Sequence, residues 1–143
     1  MTTWERAAAD RAFAGVVRAR RRAALFARIR WRKCCSCCRR LRVQDGARAR
    51  EGRPGERGLR DVPVDAIVGT LEPTRADQFD TEFRPVAAVR ERWQRIWLAE
   101  EHGAVLPPVQ LVAIGSGYAV RDGHHRVSVA RARGAATITA LVA

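Results

Sequence analysis

The first part of the chain carries apolar residues at a helical period among many alanines and arginines. The positions that follow this period are Trp4, Ala8, Ala12, Val16, Leu25 and Ile29. Ala and Arg both favour helix, so residues 4–33 predict one or two basic helices. Residues 39–60 instead mix arginine with Gly and Pro and have no sustained apolar period, which is typical of a flexible linker.

Two regular patterns follow the predicted linker. Residues 62–67 alternate apolar and polar side chains and lead into Gly69-Thr70, which predicts a half-buried first strand. Further on, the apolar positions of one helical face are Val86, Val89, Trp93, Ile96 and Trp97. Arg90, Glu91, Arg92, Gln94 and Arg95 lie on the opposite face. The pattern predicts an amphipathic helix that ends near Gly103.

The last third of the chain predicts a hairpin, a helix and a final strand. Pro107-Pro108 prevents helix, so residues 109–114 predict a strand that turns at residues 115–117 into a second strand, 118–121. We expect Asp122 to cap a helix from about His124 to Arg133. Gly134 should end this helix before a strand at residues 137–142. The predicted order from residue 61 is therefore β, α, β, β, α, β, an α+β domain.

Composition and charge divide the chain at about residue 60. A chain of 143 residues is the usual size of one domain. Residues 1–60 hold 18 Lys and Arg against 5 Asp and Glu, a net charge of +13, whereas residues 61–143 have a net charge of −1. Of the 27 basic residues only Lys33 is lysine, and this bias towards arginine is typical of a GC-rich bacterial genome. We expect a basic arm and linker, 1–60, before a domain, 61–143.

The sequence shows neither a transmembrane run nor a secretion signal. No stretch of eighteen or more apolar residues is present, and the first residues mix acids and bases. We therefore expect a soluble cytoplasmic protein.

Residues 118–126 carry the chemistry that is easiest to interpret. A predicted strand runs through Asp122-Gly123 directly into the start of a helix, where free N–H groups and the helix dipole favour an anion. Gly123 would let a ligand approach the backbone, and His124 and His125 can donate hydrogen bonds to it. Arg126 can add a bidentate contact with a phosphate. The alternative is a cap at Asp122 followed by ordinary polar surface.

The segment from Tyr118 to Ala132 resembles the strand-turn-helix of ParB/sulfiredoxin-like domains, in which a G-x-x-R motif opens a helix. The likeness covers residues 61–143 and implies a small domain with a mixed sheet and packed helices. The catalytic cysteine of sulfiredoxins would fall at His124, so that activity is not expected. The chain also ends before the helix-turn-helix of partition ParB proteins, so the resemblance does not imply centromere binding.

The resemblance implies a nucleotide such as CTP or ATP, with Mg²⁺, or a nucleic-acid phosphate at Gly123-His124-His125-Arg126. NTPase, nuclease and kinase-like activities are all open. The loop after the first strand forms the other pocket wall in such domains, and Arg75 is the candidate arginine there. Glu72, Asp77 and Asp80 are candidate metal or general-base carboxylates, although acidic loops are common for solubility alone. Glu72 and His124 are the candidate catalytic residues.

All four cysteines lie in one cluster, Cys34, Cys35, Cys37 and Cys38. Two C-x-x-C spacings overlap there, but adjacent cysteines do not readily arrange four thiolates around one zinc ion. A redox or metal role, a site shared between two chains, and plain reduced thiols all remain open.

The basic arm supports a second function. Residues 1–60 could bind DNA or RNA without sequence preference, which would make the protein a non-catalytic nucleic-acid-associated or protein-interaction module. Arg28, Trp31 and Arg32, with Arg39-Arg40, also permit a helix on a membrane surface.

Overall fold

The computed structural model describes residues 1–30, 40–46, 55, 57–115 and 117–143. Within these residues the chain has an α+β fold with a long helix at its amino end, as predicted. The helices are α1 (Thr3–Arg30), α2 (Arg90–Glu101) and α3 (His124–Ala132). The strands are β1 (Arg42–Val43), β2 (Gly58–Pro63), β3 (Ile67–Thr70), β4 (Val109–Ile114), β5 (Gly117–Asp122) and β6 (Thr137–Val142).

The described strands form a single mixed sheet in the order β1-β3-β5-β4-β6-β2. β4 and β5 are an antiparallel hairpin, and β6 pairs antiparallel with β2 at one edge. The remaining pairs, β1 with β3, β3 with β5 and β4 with β6, are parallel. The start of α3 therefore follows directly from β5, a central strand of the sheet.

Two apolar clusters hold the layers together. The larger joins the sheet to α3 and to the loop that contains Phe79 and Phe83. The smaller lies between the three helices and consists of Phe13, Trp93 and Val129. Phe13 meets Trp93 edge to face, with 5.4 Å between the ring centres. α1 thus packs on α2, and α2 packs on α3.

Several local predictions are confirmed. β4 and β6 cover the predicted ranges, and β5 extends the predicted 118–121 by one residue at each end. α3 ends before Gly134, which has a φ of +70°. The predicted amphipathic helix forms with Trp93 fully buried, although a 3₁₀ turn over Ala87–Val89 precedes its first α-helical residue, Arg90.

The strand predicted at residues 62–67 is wrong. β2 ends at Pro63, a 3₁₀ turn covers Val64–Ala66, and β3 begins at Ile67. Proline has no N–H to donate to a ladder, so it favours the end of an edge strand. The turn carries the chain from beside β6 to a place between β1 and β5.

The predicted linker contains ordered structure at both of its ends. Gln44 donates its backbone N–H to Thr70, β1 pairs with β3, and Leu41 is buried in the larger cluster. β2 begins at Gly58, before the expected domain start at residue 61. The boundary at residue 61 stays a prediction, but contacts of Leu41 and Phe13 cross it. Residues 47–54 and the cysteine cluster lie outside the described residues.

Among the described residues, no helix has both the length and the apolar content that crossing a membrane requires. α1 is 28 residues long, but arginines interrupt its apolar positions throughout.

Candidate functional site

The first turn of α3 begins at Gly123, which is its N-cap and has a φ of +104°. A Cβ at this position would lie 2.6 Å from Cγ1 of Val109 and 3.1 Å from Nη2 of Arg126. Both the left-handed backbone and the close packing therefore require glycine. The atoms that approach Gly123 on this side belong to the protein itself, and its predicted phosphate contact stays a prediction.

The cap predicted at Asp122 is wrong. No side chain caps α3, because Asp122 lies one residue before the N-cap, and its carboxylate Oδ2 accepts a hydrogen bond from Nη2 of Arg126 at 3.1 Å. Nη1 of Arg126 donates to the carbonyl oxygens of Pro107 and, at 3.2 Å, of Pro108. The guanidinium thus joins the start of α3 to the loop before β4. We call these contacts of Arg126 the arginine clamp.

His124 points to the opposite side of the turn and is buried beneath the loop after β3. Its Nε2 lies 2.6 Å from Oγ1 of Thr70, a fully buried hydroxyl. The ring of Phe79 stacks over it with an interplanar angle of 18°. Burial, followed by the positive charges of Arg75 and His125, lowers the pKa of His124 to about 4. At neutral pH this imidazole is uncharged.

His125 is also buried and lies with its ring edge to face against Phe79, at 5.3 Å between ring centres. Burial, and then the charges of Arg92 and Arg75, lowers its pKa to about 4. Two cationic side chains from two different elements therefore act on one imidazole. His125 is neutral at pH 7 and can offer one N–H donor to a ligand.

A surface cleft of about 400 Å³ lies beside His125. Its walls are the 3₁₀ turn Pro73–Arg75 with the following loop, the start of α2, and the first turn of α3. The lining residues are Arg75, Gln78, Ala88, Val89, Glu91, Arg92, Arg95 and His125. We call this the arginine cleft, because its lining includes three arginines and only one carboxylate.

Two of the three arginines already contact other side chains of the protein. Nη1 of Arg75 donates to Oε1 of Gln78 at 3.1 Å, and Arg95 pairs with Glu91 at 3.3 Å. The Arg95–Glu91 pair is largely exposed, so it contributes little to stability and can open easily. Arg92 is exposed and lowers the pKa of His125.

The predicted carboxylates do not form a metal site. Oδ1 of Asp80 accepts the backbone N–H groups of Glu82 and Arg84, and Asp77 pairs with Arg40 at 2.6 Å. Glu72 is exposed at the start of the 3₁₀ turn. Among the described residues, no three histidine, cysteine or carboxylate side chains converge as a metal-binding group.

The predicted site is therefore divided. The structure brings Arg75 together with His125 in one cleft, and the charge of Arg75 also acts on His124. It does not bring Arg126 to the same place, because successive residues of a helix point about 100° apart. Arg92 and Arg95 were missed as site residues: they belong to the polar face of the predicted helix. Their spacing of three, which places both on one side of that helix, was the available signal.

No protein family model, curated protein or solved structure matches this chain.

Proposed function

We propose that this protein binds a phosphate-bearing ligand, a nucleotide or a nucleic-acid phosphate, in the arginine cleft. The observation that carries the proposal is the convergence of Arg75, Arg92 and Arg95 on one cleft beside the first turn of α3. Planar guanidinium groups suit phosphate because they donate two parallel hydrogen bonds. From α3 the cleft receives His125 of the first turn, and the dipole of that helix favours an anion near its amino end.

The charges around His125 favour an anionic ligand over a cationic one. Positive charge from Arg75 and Arg92 already disfavours protonated His125. An anionic ligand would lie among these charges and offset their mutual repulsion. The cleft is also in the size range of small-ligand sites, about 300 to 1,000 Å³.

The resemblance to ParB/sulfiredoxin-like domains supports the same ligand class. The left-handed Gly123 between β5 and α3 fits the strand-turn-helix that carries it. CTP and ATP are accordingly the first nucleotides to test. The proposal concerns binding, and Glu72 and His124 remain candidate catalytic residues whose role an activity assay would decide.

Titration calorimetry of the full chain tests the proposal. The ligands are CTP, ATP and inorganic triphosphate, each with and without Mg²⁺. Binding of a nucleotide much more tightly than of triphosphate would show that the base is recognised. We expect Arg75→Ala and Arg92→Ala each to weaken binding about tenfold, from the loss of a charge-assisted hydrogen bond of roughly 1.5 kcal/mol.

The matched control is Arg121→Ala, an exposed arginine on β5 that does not line the cleft. It should leave binding unchanged. The proposal fails if none of the three ligands binds, or if Arg121→Ala weakens binding as much as Arg92→Ala. The alternative function is non-catalytic nucleic-acid association or protein interaction through the basic arm, residues 1–60.

A further inference from the structure

The carboxyl-terminal half of α1 exposes large apolar side chains. Leu25, Phe26 and Ile29 are 57%, 68% and 70% exposed, although α1 buries Phe13 against α2. The three lie within two turns of each other on the helix surface. We call these three side chains the apolar tip of α1. They do not belong to the apolar cluster through which α1 packs on α2.

Arginines surround this apolar tip. The stretch from Arg11 to Arg30 contains seven arginines and no Asp or Glu. Arg18, Arg21, Arg22 and Arg28 are all exposed. The two acids of α1 lie nearer its amino end and face α2: Glu5 contacts His102 at 2.9 Å, and Asp10 accepts from Gln94 at 2.7 Å. The acidic and basic parts of the helix are thus separated along its length.

The basic and apolar side chains share one face. Arg18, Arg22, Leu25 and Ile29 follow each other at spacings of four, three and four, which places them on one side of a helix. Phe13 and Val17, which pack towards α2 and α3, lie on the other side. The outward face therefore presents apolar and cationic groups together.

We propose that this outward face of α1 docks on an anionic lipid surface. The apolar tip would enter the boundary between headgroups and acyl chains, while the arginines contact lipid phosphates, the arrangement of an interfacial amphipathic helix. A second copy of the chain is a poor occupant, because it would bring another set of arginines against the first. Nucleic acid would satisfy the arginines but leave Leu25, Phe26 and Ile29 without a role.

Vesicle sedimentation with the full chain tests this surface. One set of vesicles is phosphatidylcholine alone, and the other is equal parts of phosphatidylcholine and phosphatidylglycerol. We expect binding to the anionic vesicles only. Raising the salt concentration should weaken it, because the Debye length falls from about 10 Å at 0.1 M to about 3 Å at 1 M.

Three pairs of substitutions separate the apolar and the charge contributions to vesicle binding from general effects. Phe26→Ala with Ile29→Ala removes two of the three side chains of the apolar tip but keeps helix propensity, and should weaken vesicle binding at least about tenfold. Leu59→Ala with Val105→Ala removes two exposed apolar side chains, 67% and 97% exposed, from β2 and a loop and should leave vesicle binding unchanged. Arg18→Gln with Arg22→Gln should weaken binding to a similar extent as the first pair.

Three results would overturn the proposal. The first is equal binding to neutral and anionic vesicles. The second is an unchanged affinity of the Phe26→Ala, Ile29→Ala protein for anionic vesicles. The third is no vesicle binding at all, whether or not the chain binds duplex DNA; DNA binding would then assign the arm to nucleic acid.

Discussion

The two sides of the first turn of α3 differ in what their charged groups do. On one side, Arg126 donates to two loop carbonyls and to Asp122, all within the protein. On the other side, His125 lines a cleft in which Arg92 and Arg75 converge from separate elements. Adjacent residues of one motif thus serve a structural clamp and a candidate binding site.

Residues that stand together in a sequence motif therefore need not act as a unit. A guanidinium that already has three acceptors gains less from a ligand than one exposed in a cleft, because it must first give up those acceptors. Side chains on the cleft side should therefore govern ligand affinity, and Arg126 should govern stability. Substitutions on the two sides of the turn should therefore separate effects on ligand affinity from effects on stability.

The largest expected effect is the loss of stability in acid that comes from the cleft side. Both histidines have their pKa lowered from 6.5 to about 4. The unfolded chain therefore takes up protons first as the pH falls. Their contribution is complete above pH 6.5 and is lost as the pH falls towards 4, by up to roughly 2 kcal/mol for each histidine because solvent partly screens the two rings. Urea unfolding at several pH values measures it.

A matched variant sharpens that test. His125→Gln should remove about half of the fall in stability between pH 6.5 and 4. Arg126→Ala should leave its slope unaltered, since the guanidinium does not titrate there. An unfolding free energy that is flat from pH 7 to 4.5 would show that the histidines are accessible to protons in the folded protein.

The second largest effect should come from the clamp. Arg126→Ala leaves the carbonyls of Pro107 and Pro108 without this donor, and we expect a loss of about 2 to 3 kcal/mol in the free energy of unfolding. Arg121→Ala should change it by less than about 0.5 kcal/mol. Unchanged stability of Arg126→Ala together with lost nucleotide binding would instead make Arg126 a phosphate ligand, as its position in the motif first suggested.

The fold was most predictable where a proline or glycine in the sequence marks the end of a helix or strand. Pro107-Pro108 and Gly134 bound β4 and α3 within a residue or so, and the burial of Trp93 followed from its helical face. The 3₁₀ turn at Val64–Ala66 was missed because the alternation of apolar and polar residues continues through Pro63. Val64 is also buried, as an inward-facing strand residue would be. The packing of Phe13 on Trp93 joins distant segments and has no local signal.

The site was predictable only in part, for the same reason. The likeness to a known strand-turn-helix led to His125, and the loop opposite led to Arg75. Arg92 and Arg95 lie on an ordinary polar helix face, and only the packing of α2 against α3 brings that face to the cleft. Which way Arg126 turns depends on the loop carbonyls before β4, and the sequence does not place that loop in space.

The smallest effect on stability is expected within the cleft. Arg92 is exposed, so Arg92→Ala should change the free energy of unfolding by less than about 0.5 kcal/mol. Ligand affinity should nevertheless fall about tenfold. Calorimetric titration and urea unfolding of the same preparation measure both. A large loss of stability without loss of affinity would reverse the roles assigned to the two sides.

The most direct test of the division is an NMR titration of the imidazole protons of His125, with and without inorganic triphosphate. Burial, and then the positive charges of Arg92 and Arg75, lowers the pKa of His125 to about 4 in the free protein. An anion bound among these arginines should raise that pKa, and should raise it more than the pKa of His124, which lies against Thr70. A triphosphate that binds but leaves the titration of His125 unchanged would contradict the account, because the anion would then lie outside the arginine cleft.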